Sequence, residues 1–145
     1  MEILTRLEEK LADIKGYLGE IESKLPASLE NYRAADFTLK RATERDLQLI
    51  NDGEIDVLAL LVKLKELTIA SSEEGLIDKF NNLLSRKTLN HLREFRRLRN
   101  MLTHAYKNEV YDEVVFNSAK KSVDVRTFIK EVERILKPSE TDKIR

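Results

Sequence analysis

Residues 4–25 read LTRLEEKLADIKGYLGEIESKL, and within them Leu4, Leu7, Leu11, Ile14, Leu18, Ile21 and Leu25 recur at alternating spacings of three and four. That spacing places every apolar side chain on one stripe of a helix, with Glu and Lys filling the remaining positions. A strand would need apolar residues at every second position, and the stretch does not supply them. Pro26 ends the segment. The stripe alone fits either a coiled coil or the first helix of a bundle. The amphipathic segments that follow favour the bundle.

Ser28 is placed to cap a second helix beginning at Leu29. Its stripe of Tyr32, Ala35, Leu39, Ala42 and Leu49 continues past Gly53 to Val57, Leu60, Leu64 and Leu67. Gly53 falls on the packing face, so one long helix closely approached by a neighbour is expected. A break at Asn51–Asp52–Gly53, which are good helix-ending residues, is the competing reading. Ser71 or Ser72 caps a short third helix holding Leu76, Ile77, Phe80 and Leu83. A fourth runs from about Lys87, with Leu89, Leu92, Phe95, Leu98 and Leu102 inward. Asn108 then caps a fifth, built on Val110, Val114, Val115, Val123, Phe128, Val132 and Leu136. Pro138 stops it. The expected architecture is an all-α, up-and-down bundle of about five helices. It forms a single domain over 1–137, followed by a polar tail over 138–145.

Composition supports this and excludes other classes. The 145 residues are enough to bury a core without crosslinks, and only four glycines and two prolines punctuate them. With no cysteine, disulfides and thiolate metal sites are ruled out, and two histidines cannot build a three-histidine zinc site within one chain. No metal or cofactor is therefore expected. The N-terminus carries acids where a secretion signal needs a basic start. No stretch approaches the ~20 apolar residues of a membrane span. A cytoplasmic protein without membrane association is the expectation.

Net charge is zero, but it is distributed unevenly. From Arg86 to Lys107 the chain carries Arg86, Lys87, Arg93, Arg96, Arg97, Arg99 and Lys107 against Glu94 alone, a net of +6 in 22 residues. A basic helix in a neutral protein suits a polyphosphate partner, and guanidinium groups can bond two phosphate oxygens at once. A solvated face paired with the acidic first helix would give the same pattern.

The sharpest local feature is Arg99-Asn100-Met101-Leu102-Thr103-His104-Ala105-Tyr106. Residues five apart on a continuous helix sit roughly 140° round the axis, so Arg99 and His104 would not share a face. Either the helix ends between them or the two groups meet across a dimer axis. Asn108 as the next cap suggests an end near His104, where the negative end of the helix dipole favours the protonated ring. Arg99 borders the stripe Leu92–Phe95–Leu98–Leu102 and should be partly sheltered. A sheltered Arg beside a titratable His suits phosphoryl transfer: His moves a proton near neutral pH, and Arg stabilises the charge of a pentavalent phosphorane. A helix-capping His and a structural Arg at a core edge would read the same way.

This stretch resembles the signature of the HEPN superfamily, in which Arg is followed by a polar residue, a gap of four to six residues, and His. With Tyr106 it is similar to the HepT-type ribonuclease toxins of MNT/HEPN (MntA–HepT) toxin–antitoxin systems. Arg99, His104 and Tyr106 fill that pattern, and Asn100 supplies the polar follower. Arg41-Ala42-Thr43-Glu44-Arg45, leading to Asp52 and Asp56, also resembles the subgroup's long second helix. The resemblance runs from about Leu29 to Leu136. It implies a homodimer whose paired Arg99 and His104 line a cleft, with Asn100 in support, and cut RNA without metal. Attack by the ribose 2′-hydroxyl would leave a cyclic phosphate and a free 5′-hydroxyl, two copies of His104 serving as base and acid. It further implies an MNT-type nucleotidyltransferase antitoxin that attaches AMP to Tyr106, and RNA contacts from Arg93, Arg96, Arg97 and Lys107. Tyr106 simply packing over His104 is compatible with that role.

His91, thirteen residues before His104, reads as a surface or packing residue. Asp52 and Asp56 sit one turn apart, so either one orients an arginine of the basic helix or both are separate surface carboxylates. A non-catalytic helical adaptor of a nucleotidyltransferase, or a module that holds a nucleotide without cutting RNA, would share most of these features.

Overall fold

A computed structural model describes residues 2–104 and 109–137, with the side chains of 104, 109 and 110 outside the description. The described residues form seven α-helices: α1 (Glu2–Lys24), α2 (Leu29–Ala34), α3 (Phe37–Leu64), α4 (Glu73–Asp78), α5 (Arg86–His104), α6 (Glu109–Ala119) and α7 (Ser122–Leu136). The architecture is the expected all-α bundle, with two of the five expected helices divided.

The stripe that opens the chain does what its spacing predicts. Leu7, Leu11, Ile14, Leu18 and Ile21 are all buried, and α1 lies against the long helix α3. α3 runs unbroken through Asn51, Asp52 and Gly53. A Cβ on Gly53 would stand 2.9 Å from Ile14 Cγ1, so the glycine permits a close approach of α1 and α3. Around that contact lie Leu47, Ile50, Val57, Leu58 and Leu61, all buried.

The second expected helix divides earlier, at Ala35. Ser28 caps α2 by accepting from the Asn31 N–H. Ala35 is extended, and Asp36 starts α3 by accepting from the Leu39 N–H at 2.9 Å. The far end of α3 also stops short of Leu67. Glu66 takes φ 54, and the Leu67 N–H returns to the Val62 carbonyl at 2.9 Å. That is the ending glycine usually provides, here built on a residue that announces nothing.

Ser72 caps α4 through the Gly75 N–H, after which the chain turns so that Phe80 and Leu84 are buried while Leu83 faces solvent. The fifth expected helix divides between Ala119 and Ser122, because its halves serve different neighbours. Tyr111, Val115 and Phe116 are buried where α6 packs on α2 and α3. Val125, Phe128, Ile129 and Val132 are buried where α7 packs on α5 and α1. Val114 and Val123, placed inward by a continuous helix, are instead exposed. The expected cap Asn108 and the tail over 138–145 lie outside the described residues. Among the described residues no helix is long and apolar enough to cross a membrane.

Candidate functional site

Helix α5 carries the basic run, and its start is fastened from across the bundle. Ser85 caps it, its hydroxyl accepting from the Thr88 N–H at 3.2 Å. Glu131 of α7 then accepts from the Ser85 N–H at 2.7 Å and from the Ser85 and Thr88 hydroxyls at 2.8 and 2.5 Å. Burial pushes the Glu131 carboxyl up, but these donors outweigh it and hold the group below the usual carboxylate range.

The inner face of α5 is apolar at Leu89, Leu92, Phe95 and Leu98, and beside Thr88 at its start it carries a second buried polar residue, His91. His91 is buried, neither a surface residue nor merely a packing one. Its Nε2 donates to Glu54 Oε2 of α3 at 2.6 Å, and its ring meets Phe95 at 4.2 Å between centroids. Burial opposes the protonated ring, but the Glu54 carboxylate overcomes it, so His91 titrates above its ordinary range. Glu54 Oε1, His91 Nδ1 and both amide atoms of Asn51 are buried without a hydrogen-bond partner among the described residues. Sequence reasoning missed this cluster, although Glu54 stands among Ile50, Val57 and Leu58 on a buried stripe.

The outer face presents Arg93, Arg96 and Arg99 in a row, and short α4 clasps it. Arg93 donates to Glu74 at 3.1 Å and Asp78 at 2.8 Å. Arg96 Nε donates to Glu73 Oε1 at 3.1 Å. Arg99, with only 19% of its side chain exposed, meets Glu73 fork to fork. Nη1 donates to Oε2 at 3.1 Å, and Nη2 makes a short bond to Oε1. Two longer contacts, both 3.5 Å, run from Nη1 to Asp52 Oδ1 and from Nη2 to Asn100 Oδ1. The Arg99 bonds, with Arg96 behind them, hold the Glu73 carboxyl below its usual range, and Glu73 keeps Arg99 still more firmly protonated. Among the described residues, Arg93, Arg96 and Arg99 of the basic run are thus paired with α4 and Asp52 rather than with acidic α1, and Lys87 pairs with Asp124 of α7 at 3.5 Å. Arg97 is exposed, with no ion pair among the described residues.

Asp52 and Asp56, one turn apart, have separate partners. Asp52 reaches Arg99, and Asp56 pairs with Lys10 of α1 at 3.1 Å. The described residues hold no group of three or more potential metal ligands. His104 is the last described residue of α5; its side chain lies outside the description, as do Tyr106 and Lys107, and so does the expected end of the helix. The structure therefore brings together Arg99, Asn100, Asp52, Arg96 and, unforeseen, Glu73.

Helix α6 is held against the start of α3. The Tyr111 hydroxyl donates to buried Glu44 at 2.6 Å, and Arg41 makes a short ion pair with the same carboxylate. Burial and the Glu44 charge push the Tyr111 and Tyr32 hydroxyls well above their ordinary range. The stretch Arg41–Arg45 therefore serves to seat α6 on the start of α3.

The described residues thus form an all-helical bundle whose basic helix carries Arg99 and, five residues on, His104. The family model described as ribonuclease HepT-like matches residues 14–135, and the chain belongs to that family. Among solved structures it is similar to the tri-AMPylated Shewanella oneidensis HEPN toxin in complex with MNT antitoxin, at 24% identity and TM-score 0.76, covering 88% of this chain and 96% of that one. Two variants of a MntA–HpeT toxin–antitoxin complex also match. One has a Tyr→Ala substitution (21% identity, TM-score 0.79) and the other two Asp→Glu substitutions (23%, 0.80), each covering 92% of this chain and 99% of that one. These likenesses are of fold. No curated protein sequence matches the chain significantly.

Proposed function

We propose that this chain is a metal-independent endoribonuclease toxin, acting in the cytoplasm as a homodimer and neutralised by an MNT-type nucleotidyltransferase antitoxin. The observation that carries the reading is Arg99 and His104 at family spacing on α5, in a chain of the HepT-like ribonuclease family. The toxin–antitoxin complexes that share its fold support the partner. Arg99 is the phosphate-facing cation. One His104 takes the proton of the ribose 2′-hydroxyl as it attacks the adjacent phosphorus. The other copy protonates the departing 5′-oxygen, leaving a cyclic phosphate. Arg97 and Lys107, with Arg93 and Arg96 in support, contact the RNA backbone. Tyr106 is the AMP acceptor, and adenylate there would set negative charge and bulk against the substrate phosphate. The working unit is a single domain over 1–137, with 138–145 a polar tail.

The test is incubation of purified chain, free of partner and in EDTA, with tRNA and mRNA beside an Arg99→Ala protein, and mapping of fragment ends. Cleavage with cyclic phosphate ends, lost in the variant, is the expected result. No cleavage by unmodified dimer would overturn the reading in favour of a non-catalytic adaptor. One observation favours that second reading: all four terminal N–H groups of Arg99 already face acceptors of its own chain, on Glu73, Asp52 and Asn100.

A further inference from the structure

The engagement of Arg99 divides into strong and weak contacts, and the division is informative. Both Glu73 oxygens hold the guanidinium in a two-point fork, whereas Asp52 and Asn100 stand at 3.5 Å, the edge of a hydrogen bond. A phosphate oxygen could take the place of either long contact without disturbing the fork. Glu73 Oε1 also accepts from Arg96 Nε, so one carboxylate holds two guanidinium groups side by side that would otherwise repel. Glu73 is itself firmly seated. It stands in the first turn of α4, behind the Ser72 cap, and α4 is pinned to the core by buried Leu76 and Ile77. The formal charges of Arg96, Arg99, Glu73 and Asp52 cancel, so this cluster gains little from charge alone. Its value to a reaction lies in a fixed direction of the Arg99 fork.

We propose that Glu73 is a positioning residue of the ribonuclease site, fixing Arg99 and Arg96 as a paired phosphate clamp while Asp52 and Asn100 yield to substrate. This rests on the ribonuclease reading above. Loss of the carboxylate charge should make the site more attractive to RNA yet less able to turn it over. A merely structural ion pair would not produce that split.

The experiment compares the full-length dimer with its Glu73→Gln and Glu73→Asp variants on a short RNA with one scissile bond. Glu73→Gln should lower kcat roughly 10- to 100-fold without raising KM, and Glu73→Asp, which keeps the charge, should recover most of the loss. An unchanged kcat, or a rise in KM alone, would overturn the proposal, whatever happens to thermal stability. NMR of the Arg99 guanidinium supplies a readout independent of cleavage. Restricted rotation about Nε–Cζ should be present in the parent and in Asp52→Asn, and lost in Glu73→Gln. If the parent cuts no RNA, the ribonuclease reading fails, and this signal alone decides whether Glu73 positions Arg99. Its persistence in Glu73→Gln refutes that role.

Discussion

Replacing Gly53 with alanine sets two well-measured effects against each other. In a helix interior, alanine is favoured over glycine by about 0.5–1 kcal/mol, so propensity alone makes Gly53→Ala stabilising. The new methyl, however, would stand 2.9 Å from Ile14 Cγ1 and 3.3 Å from Cδ1. Forcing one carbon into a packed helix contact costs about 1–3 kcal/mol. The sum is destabilisation by about 1 kcal/mol, or a fall of about 3 °C in Tm for a domain of this size. The chain contains its own controls. Gly16 and Gly19 lie on the exposed side of α1 with nothing within 4 Å of an added Cβ, so Gly16→Ala and Gly19→Ala should each stabilise by about 0.5–1 kcal/mol. Urea unfolding followed by far-UV circular dichroism measures all three. In an Ile14→Ala background the Gly53→Ala penalty should shrink or vanish, since the obstructing carbons are gone. Should Gly53→Ala stabilise as much as Gly16→Ala, the close α1–α3 crossing, and the packing built on it, would be wrong.

Two further outcomes follow from buried polar groups. Because Glu54 raises the folded-state pKa of His91, the pair's stabilisation is fully present below the unfolded histidine value of about 6.5. It is lost as pH rises through the higher folded value, so Tm should decline on the alkaline side, and Glu54→Gln should flatten that decline. An identical pH profile in the variant would contradict the assignment. Glu131 behaves oppositely. Its carboxyl is held low by Ser85 and Thr88, so its contribution is present above about pH 4.3 and fades as pH falls through the folded value. Glu131→Ala should cost about 2–4 kcal/mol by leaving buried donors unpaired, and protection of the residue 85–88 amides from hydrogen exchange should fall with it. Unchanged protection at those amides would argue against the cross-bundle cap.

Much of this was legible from residue spacing. The stripe of α1, the continuity of α3 past Gly53, the caps at Ser28 and Ser72, and the basic character of α5 all follow from local rules. The break before Asp36 was also written locally, as a capping aspartate three residues ahead of Leu39, but the apolar stripe runs across it and masks the signal. The stop at Glu66 left no trace, because glycine or asparagine normally marks a left-handed residue. The site divides in the same way. Arg99 and Asn100 are neighbours in a recognisable pattern. Glu73 lies 26 positions away, and only the packing of α4 on α5 brings its carboxylate there. The Glu54–His91 pair was half visible: each is a polar residue on an otherwise apolar face, the usual mark of a buried partnership, but no spacing rule says that they meet.

The fastening of Ser85 by Glu131, 46 residues further on, has a consequence for the order of events on the ribosome. The helix bearing Arg99 leaves the exit tunnel well before the residue that closes its first turn. Until α7 arrives, the opening amides of α5 have only Ser85 to satisfy them, and its inner face lacks Val125, Phe128 and Val132. A truncated or stalled chain therefore carries the motif without the frame that holds it. For a protein proposed to cut RNA while surrounded by the RNA that makes it, a site whose frame waits for α7 delays any harm until that helix has emerged and docked.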